Sequence, residues 1–241
     1  KVLRHSLVKD YATKGNVAVA SLKRFPHIIS SKRKMIEMGL YAKYILPKVI
    51  NSTCSTKPIM KQREKVLPLC SGVVLEVGAG SGINFSLYNP DKVSMVYALE
   101  PDPEMLKQAR TQAQKVELSF SFLEAGAEQI PLEDNMIDTV LLTFTLCSIP
   151  KPDLAIKEMR RVLKNSGKLI FCEHGIAPDK KVQQKQNILN LFWPYLCGGC
   201  NLNRDIPKLI EENGFKFENV ETMYLPGTAH WVGFNYWGSA N

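Results

Sequence analysis

The chain has 241 residues, 45% of them hydrophobic and 22% charged, with 15 Gly and 14 Pro, which excludes a disordered or fibrous protein. No uninterrupted apolar run reaches the ~18 residues that a membrane-spanning helix needs, so no transmembrane segment is expected. The net charge of +8 is unevenly spread: residues 1–72 hold 15 Lys/Arg against Asp10, Glu37 and Glu64, a balance of +12, and the remainder carries −4. Such a run is most often a lysine-rich solvated face, and otherwise marks a polyanionic partner, nucleic acid or an anionic lipid surface.

Residues 1–70 read as helical pieces broken at Pro26, Pro47 and Pro58. Within them, residues 34–45 carry Met35, Ile36, Met38, Leu40, Tyr41, Tyr44 and Ile45 at helical spacing. This is a basic helical extension. From Gly72 the texture changes to short aliphatic runs at 73–77, 95–100, 118–123, 139–144 and 168–173, with a last run near Tyr236. Between them, 103–115 and 154–163 have amphipathic helix spacing, and Asn165-Ser166-Gly167 reads as a turn into the next strand. Strands alternating with helices predict an α/β fold, a doubly wound, mostly parallel sheet over residues 71–241.

The six cysteines, Cys54, Cys70, Cys147, Cys172, Cys197 and Cys200, are too scattered and too apolar in setting for a secreted disulfide framework. An intracellular, cytoplasmic location is expected. The acid-poor, Lys/Ser-containing stretch after Lys1 is also what remains beside a mitochondrial transit peptide, so a mitochondrial location is the second expectation.

The strongest local signal is residues 73–82, a buried strand running into Gly78-Ala79-Gly80-Ser81-Gly82. Glycines allow a sharp turn and the close approach of a ligand to the backbone. Their spacing departs from the G-x-G-x-x-G dinucleotide fingerprint, and a purely structural turn is the plainer reading. Glu100, twenty residues after Gly80, puts a carboxylate at the second strand's tip, where a ribose diol needs an acceptor; alternatively it caps the helix near Pro103. Cys197-Gly198-Gly199-Cys200 has metal or redox spacing, but no second cysteine pair accompanies it and the chain has only four histidines, so no metal is expected.

Glu76-x-Gly78-x-Gly80-x-Gly82, Glu100, Ala127-Glu128-x-x-Pro131, Asp138 and Val162-Leu163-Lys164-x-x-Gly167 resemble the ordered motifs of class I S-adenosylmethionine-dependent methyltransferases. Thr145-Leu146-Cys147-Ser148, Glu173-His174, Gly199-Cys200-Asn201-Leu202 and residues 236–240 are most similar to the thiol S-methyltransferase branch, which is related to quinone- and lipid-methylating enzymes. The resemblance implies a seven-stranded sheet and S-adenosylmethionine as cofactor. By it Glu76, Gly78, Ala79, Gly80 and Gly82 line the methionine moiety, Glu100 with Pro101 holds the ribose, Met105 packs near the adenine, and Gly126, Ala127 and Glu128 flank its edge. Gly126 stands where many members have an acidic residue, which leaves the adenine amine to a backbone carbonyl or Glu128. Thr143 and Cys147 at the fourth strand tip face the methyl group, and Glu173-His174 is the acid/base pair in reach. Cys147 reads equally as an apolar filler and His174 as a structural histidine.

The implied function is methyl transfer to a small, apolar acceptor: a thiol, a phenol or a lipid-like head. Members of the branch begin with a hydrophobic anchor, whereas this basic segment implies association with a membrane surface. Two rivals follow from the +12 run: an RNA methyltransferase, and a methyltransferase-fold scaffold in a ribonucleoprotein or other protein assembly.

Overall fold

The computed structural model describes residues 52–241. The expected helix over 34–45 and the breaks at Pro26 and Pro47 lie outside the described residues, as does most of the basic extension. The break expected at Pro58 is present: residues 52–54 are helical, 55 and 56 are not, and a new helix, α1 (Lys57–Val66), carries Pro58 in its first turn, where a missing N–H costs nothing.

Seven strands follow: β1 (Gly72–Val77), β2 (Val93–Leu99), β3 (Phe120–Leu123), β4 (Ile137–Thr143), β5 (Leu163–His174), β6 (Phe217–Tyr224) and β7 (Phe234–Ala240). They form one sheet in the order β3-β2-β1-β4-β5-β7-β6. Neighbours from β3 to β5 pair parallel, while β7 runs antiparallel between β5 and β6. This is the expected doubly wound sheet. Its central strands are buried on both faces, which is why residues 74–77 and 139–143 read as nearly continuous apolar runs.

The helices α2 (Pro103–Ala113), α3 (Pro152–Val162), α4 (Lys180–Leu189), α5 (Trp193–Leu196), α6 (Ile206–Glu212) and α7 (His230–Gly233) complete the described chain. Asp102 caps α2 by accepting from the N–H groups of Glu104 and Met105. Ala155, Ile156, Met159 and Val162 form the buried stripe of α3. Among the described residues no helix is long and apolar enough to cross a membrane.

Three local features differ from expectation. Residues 165–167 turn inside β5 rather than ahead of it: β5 begins at Leu163, paired with Ile137, and between that pair and Thr139–Lys168 it advances five residues against two on β4, so the chain loops out there and brings Gly167 back against Leu163. Phe217–Tyr224 is a strand that alternation does not announce, because as an edge it leaves Glu218, Asn219 and Glu221 exposed. Finally, residues 57–70, grouped with the extension by charge, join the core: Val66, Leu67 and Cys70 are buried against Val74, Val93 and Trp237. Arg63 is buried, and Lys65 Nζ lies 3.7 Å from the centroid of the Trp237 ring. The Arg63 charge is held by the fold, not offered to a polyanion, while Lys65 stays exposed.

Candidate active site

The order of strands reverses between β1 and β4, so the crevice beyond their carboxyl ends is where ligands enter such a sheet. Gly78, Gly80 and Gly82 follow β1 with φ of +70°, +56° and +82°, the left-handed region that only glycine enters cheaply. The turn is fastened to β2: Gly78 N and Ala79 N donate to Leu99 O, at 2.8 and 3.1 Å. Glu100 Oε2 accepts Gly80 N at 3.0 Å while Oε1 accepts Asp102 N at 3.1 Å. Burial raises this carboxyl, and the two backbone donors pull against that.

Of the residues expected to line a cofactor, the structure gathers Gly78, Ala79, Gly80, Gly82, Glu100 and Met105 around one loop. The Met105 methyl lies 3.9 Å from where a Gly80 Cβ would stand. Pro101 is exposed beside Glu100. Ala127 is buried with half-buried Gly126 beside it. Glu128 Oε1 accepts Lys151 N at 3.2 Å, which ties its carboxylate to the start of α3.

Glu76 and Thr143 are committed elsewhere. Glu76 accepts from Asn84 Nδ2 at 2.9 Å and Tyr88 OH at 2.7 Å, and Arg63 Nη1 donates to Thr143 Oγ1 at 2.7 Å and Asn84 Oδ1 at 2.9 Å. Asn84 Nδ2 also reaches Thr143 Oγ1, at 3.0 Å. All five side chains are buried. Burial pushes the Glu76 carboxyl up to about 7, against the hydrogen bonds from Tyr88 and Asn84 and the nearby Arg63 charge. This network underpins β1 and β4. Asn84, Tyr88 and Arg63 are not singled out by sequence: none sits in a motif, and Arg63 is one of many basic residues.

Beyond β4 the chain turns on Phe144, whose φ is +56°. A bulky residue in that region costs of order 1–3 kcal/mol and is kept where the surroundings impose it. Phe144 N donates to Cys172 O, and Glu173 Oε1 accepts the N–H groups of Thr145 at 2.7 Å and Leu146 at 3.0 Å. Burial holds Glu173 at about 7, these donors opposing the rise. Its position sets the path of the segment that carries Cys147.

Cys147, His174 and Cys200 meet here, with one sulfur or nitrogen atom from each lying within 4.8 Å of the others. His174 Nε2 is 3.2 Å from Cys200 Sγ, and Trp193 Nε1 donates to that sulfur at 3.4 Å. The neighbouring Cys147, with His174 and Trp193, holds the Cys200 thiol well below its ordinary value against burial, and Cys200, with burial, pushes Cys147 up. Burial pulls His174 down, but Cys200 outweighs it and the imidazole titrates above its ordinary value. Cys197, the other half of the CxxC spacing, lies outside the cluster.

Cys200 arrives on a segment anchored by amides. Asn201 N and Nδ2 both donate to Cys147 O, at 2.9 and 3.1 Å. Gln186 is wholly buried; its Oε1 accepts Ala177 N, and its Nε2 donates to the carbonyls of Gly175, Leu202 and Trp231. Arg204 Nη1 donates to Leu146 O and Ile149 O. Sequence carries no signal for Gln186, a polar residue on a polar helix.

The family model described as "Methyltransferase domain" matches residues 75–171. The chain is 31% identical to human thiol S-methyltransferase TMT1B over 203 residues, 80% of this chain and 81% of that protein. It is 32% identical to the rat thiol S-methyltransferase TMT1B over 66% of this chain; the match spans 65% of the rat protein's length. Among solved structures, an S-adenosylmethionine-dependent methyltransferase from Aquifex aeolicus superposes with a TM-score of 0.54 at 21% identity, covering 80% of this chain and 97% of that one. That likeness is one of fold.

Proposed function

We infer that this chain, which belongs to the class I S-adenosylmethionine-dependent methyltransferases and within them to the thiol S-methyltransferase family, transfers the cofactor's methyl group to the sulfur of a small apolar thiol. The observation that carries the acceptor is the meeting of Cys147, His174 and Cys200 at the carboxyl ends of β4 and β5. Two thiols and an imidazole form a soft, sulfur-compatible surface. The charges near it are engaged: Arg204 on two carbonyls and Glu173 Oε1 on two backbone N–H groups. Leu191, Phe192, Tyr195 and Leu196, all more than half exposed around α5, give the approach an apolar character.

The residues present fit the cofactor. The flank of Gly80 is open: a methyl group added there would meet nothing nearer than Met105, at 3.9 Å, and half-buried Glu100 presents its carboxylate at the β2 tip. When bound, S-adenosylmethionine supplies an electrophilic methyl on a sulfonium. The chain's own part is placement. The loop 78–82 would hold the methionine moiety against backbone, Glu100 the ribose hydroxyls, and Met105 with Ala127 the adenine. Glu173 acts as a positioning residue by fixing the backbone that carries Cys147, and Thr143 does so through Arg63 and Asn84. Alignment of this kind is worth several kcal/mol in an in-line displacement.

The test offers labelled S-adenosylmethionine with an alkanethiol and with a phenol of matched size. Labelled thioether from the thiol, lost in Gly80→Arg, is expected. Equal or faster methylation of the phenol would remove the thiol from this reading.

A further inference from the structure

We propose that Cys147, His174 and Cys200 are the three protein ligands of a zinc ion whose fourth position takes the sulfur of the acceptor thiol. The metal site rests on geometry alone; the fourth ligand rests on the thiol-acceptor reading above.

The ligands are not the Cys197/Cys200 pair that spacing singles out. They come from three distant segments: the turn after β4, the end of β5 and the loop after α5. Tetrahedral zinc binds thiolate at about 2.3 Å and imidazole at about 2.0 Å, so its S–S and S–N edges are about 3.8 and 3.5 Å. His174 Nε2 and Cys200 Sγ already lie 3.2 Å apart, and no pair in the cluster exceeds 4.8 Å. Closing round an ion therefore asks for movements of about 1 Å at most.

The frame behind the ligands resists collapse. Asn201 ties the Cys200 segment to Cys147 O, Arg204 ties the same segment to the carbonyls of Leu146 and Ile149, and Glu173 pins the turn that carries Cys147. Trp193 Nε1 donates to the Cys200 sulfur, the kind of outer hydrogen bond that orients a metal-bound thiolate. His174 is nine-tenths buried with Nδ1 unpartnered, and its side-chain contact, at Nε2, is the Cys200 sulfur, so Nε2 is aimed into the cluster. Two thiolates and one imidazole suit a borderline-soft cation. Three protein ligands leave one of zinc's four tetrahedral positions to an incoming group, which is the catalytic pattern, not the structural one.

Zinc binding displaces the thiol protons of Cys147 and Cys200 to solvent, and a thiol entering the fourth position loses its proton in the same way. Its sulfur then attacks the methyl carbon. The new S–C bond forms as the sulfonium C–S bond breaks, the electron pair stays on the departing sulfur, and the neutral thioether, a weaker ligand, leaves.

The experiment loads the purified full chain with cobalt(II) in place of zinc and reads the near-ultraviolet thiolate-to-metal band, with zinc content measured in parallel. One metal per chain is expected, with the band lost in Cys200→Ala and Cys147→Ser and kept in Cys197→Ala; circular dichroism confirms that each variant is folded. Adding an alkanethiol should strengthen the band by about half, one thiolate joining two. No band in the folded wild type, or one that survives Cys200→Ala, overturns the site. Unchanged thiol methylation after chelation overturns the metal's role and leaves the thiol reading standing. Metal binding without methylation of any thiol upholds the site and removes its acceptor.

Discussion

The two halves of the crevice are built differently. The β1–β2 half is one contiguous loop of backbone, with Gly78, Gly80 and Gly82 in left-handed conformations and a single carboxylate, Glu100, across from them. The β4–β5 half is assembled by side chains from segments that are remote in sequence, Arg63 with Thr143 and Asn84, Glu173 with Thr145, Cys147 with Cys200. A site written in local backbone geometry is intolerant of one added methyl group. A site assembled by tertiary contacts fails instead when a clamp far from it is removed.

The largest effect should come from the loop. At Gly78 (φ +70°) a Cβ would collide with Thr145, whereas at Gly80 (φ +56°) it would meet only Met105 at 3.9 Å. Gly78→Ala should therefore reduce S-adenosylmethionine affinity by about 100-fold or more, and Gly80→Ala by about tenfold, the price of left-handed strain alone. Calorimetric titration of both variants checks this. Equal losses would mean that the Thr145 contact does not constrain the loop.

Next is Arg63, which sequence places in a basic extension and structure places in the core. Arg63→Met removes the donor to Thr143 and Asn84 and leaves Glu76 without its nearby cation. A loss of about 3 kcal/mol in urea unfolding is expected. A change under about 0.5 kcal/mol, the usual size for a surface substitution, would return α1 to the periphery.

Legibility follows the same divide. The loop, Glu100 and the central strands can be read because each is a local pattern: glycines against a buried aliphatic run, and a fixed separation along one β–loop–β unit. Cys147, His174 and Cys200 are each visible singly, but their meeting depends on the path of β5, on α5 and on Asn201, none of which leaves a local signature. The Arg63–Asn84–Thr143–Glu76 network is hidden for another reason. Its members look like ordinary polar residues, and only burial shows that Glu76 and Thr143 serve the scaffold. Edge strand β6, half polar, escapes sequence reading because the register shift between Phe217 and Asn219 breaks its two-residue period, leaving Glu218 and Asn219 exposed side by side.

Gln186 sharpens the comparison further. Its amide satisfies four backbone groups and holds the start and end of the α4–α5 segment together. Gln186→Leu leaves these groups buried and unpaired, at roughly 1–3 kcal/mol in all once local relaxation is allowed. Amide exchange should quicken across residues 197–202 and remain unchanged across 73–82. Quickening in both would show that the two halves open as one unit.

The last effect, spread over more than two pH units rather than felt at one, is a pH dependence carried by Glu76. Its carboxyl is raised from 4.5 to about 7 in the folded chain, so between those values the native state holds a proton that the unfolded chain has released. Stability then falls as pH rises through this window. The favourable contribution is complete below 4.5 and lost by the time pH has passed about 7. Glu76→Gln keeps the shape, and its amide can still accept from Asn84 while Tyr88 turns its hydroxyl to accept instead. Because Glu173 is raised to about 7 as well, the variant should retain part of the slope, roughly half. Urea midpoints of wild type and variant should therefore lie close together at pH 5 and separate through pH 6 and 7, the wild type falling further, if the Glu76 carboxyl is the group that titrates, and parallel curves would assign the slope to the β5 end alone.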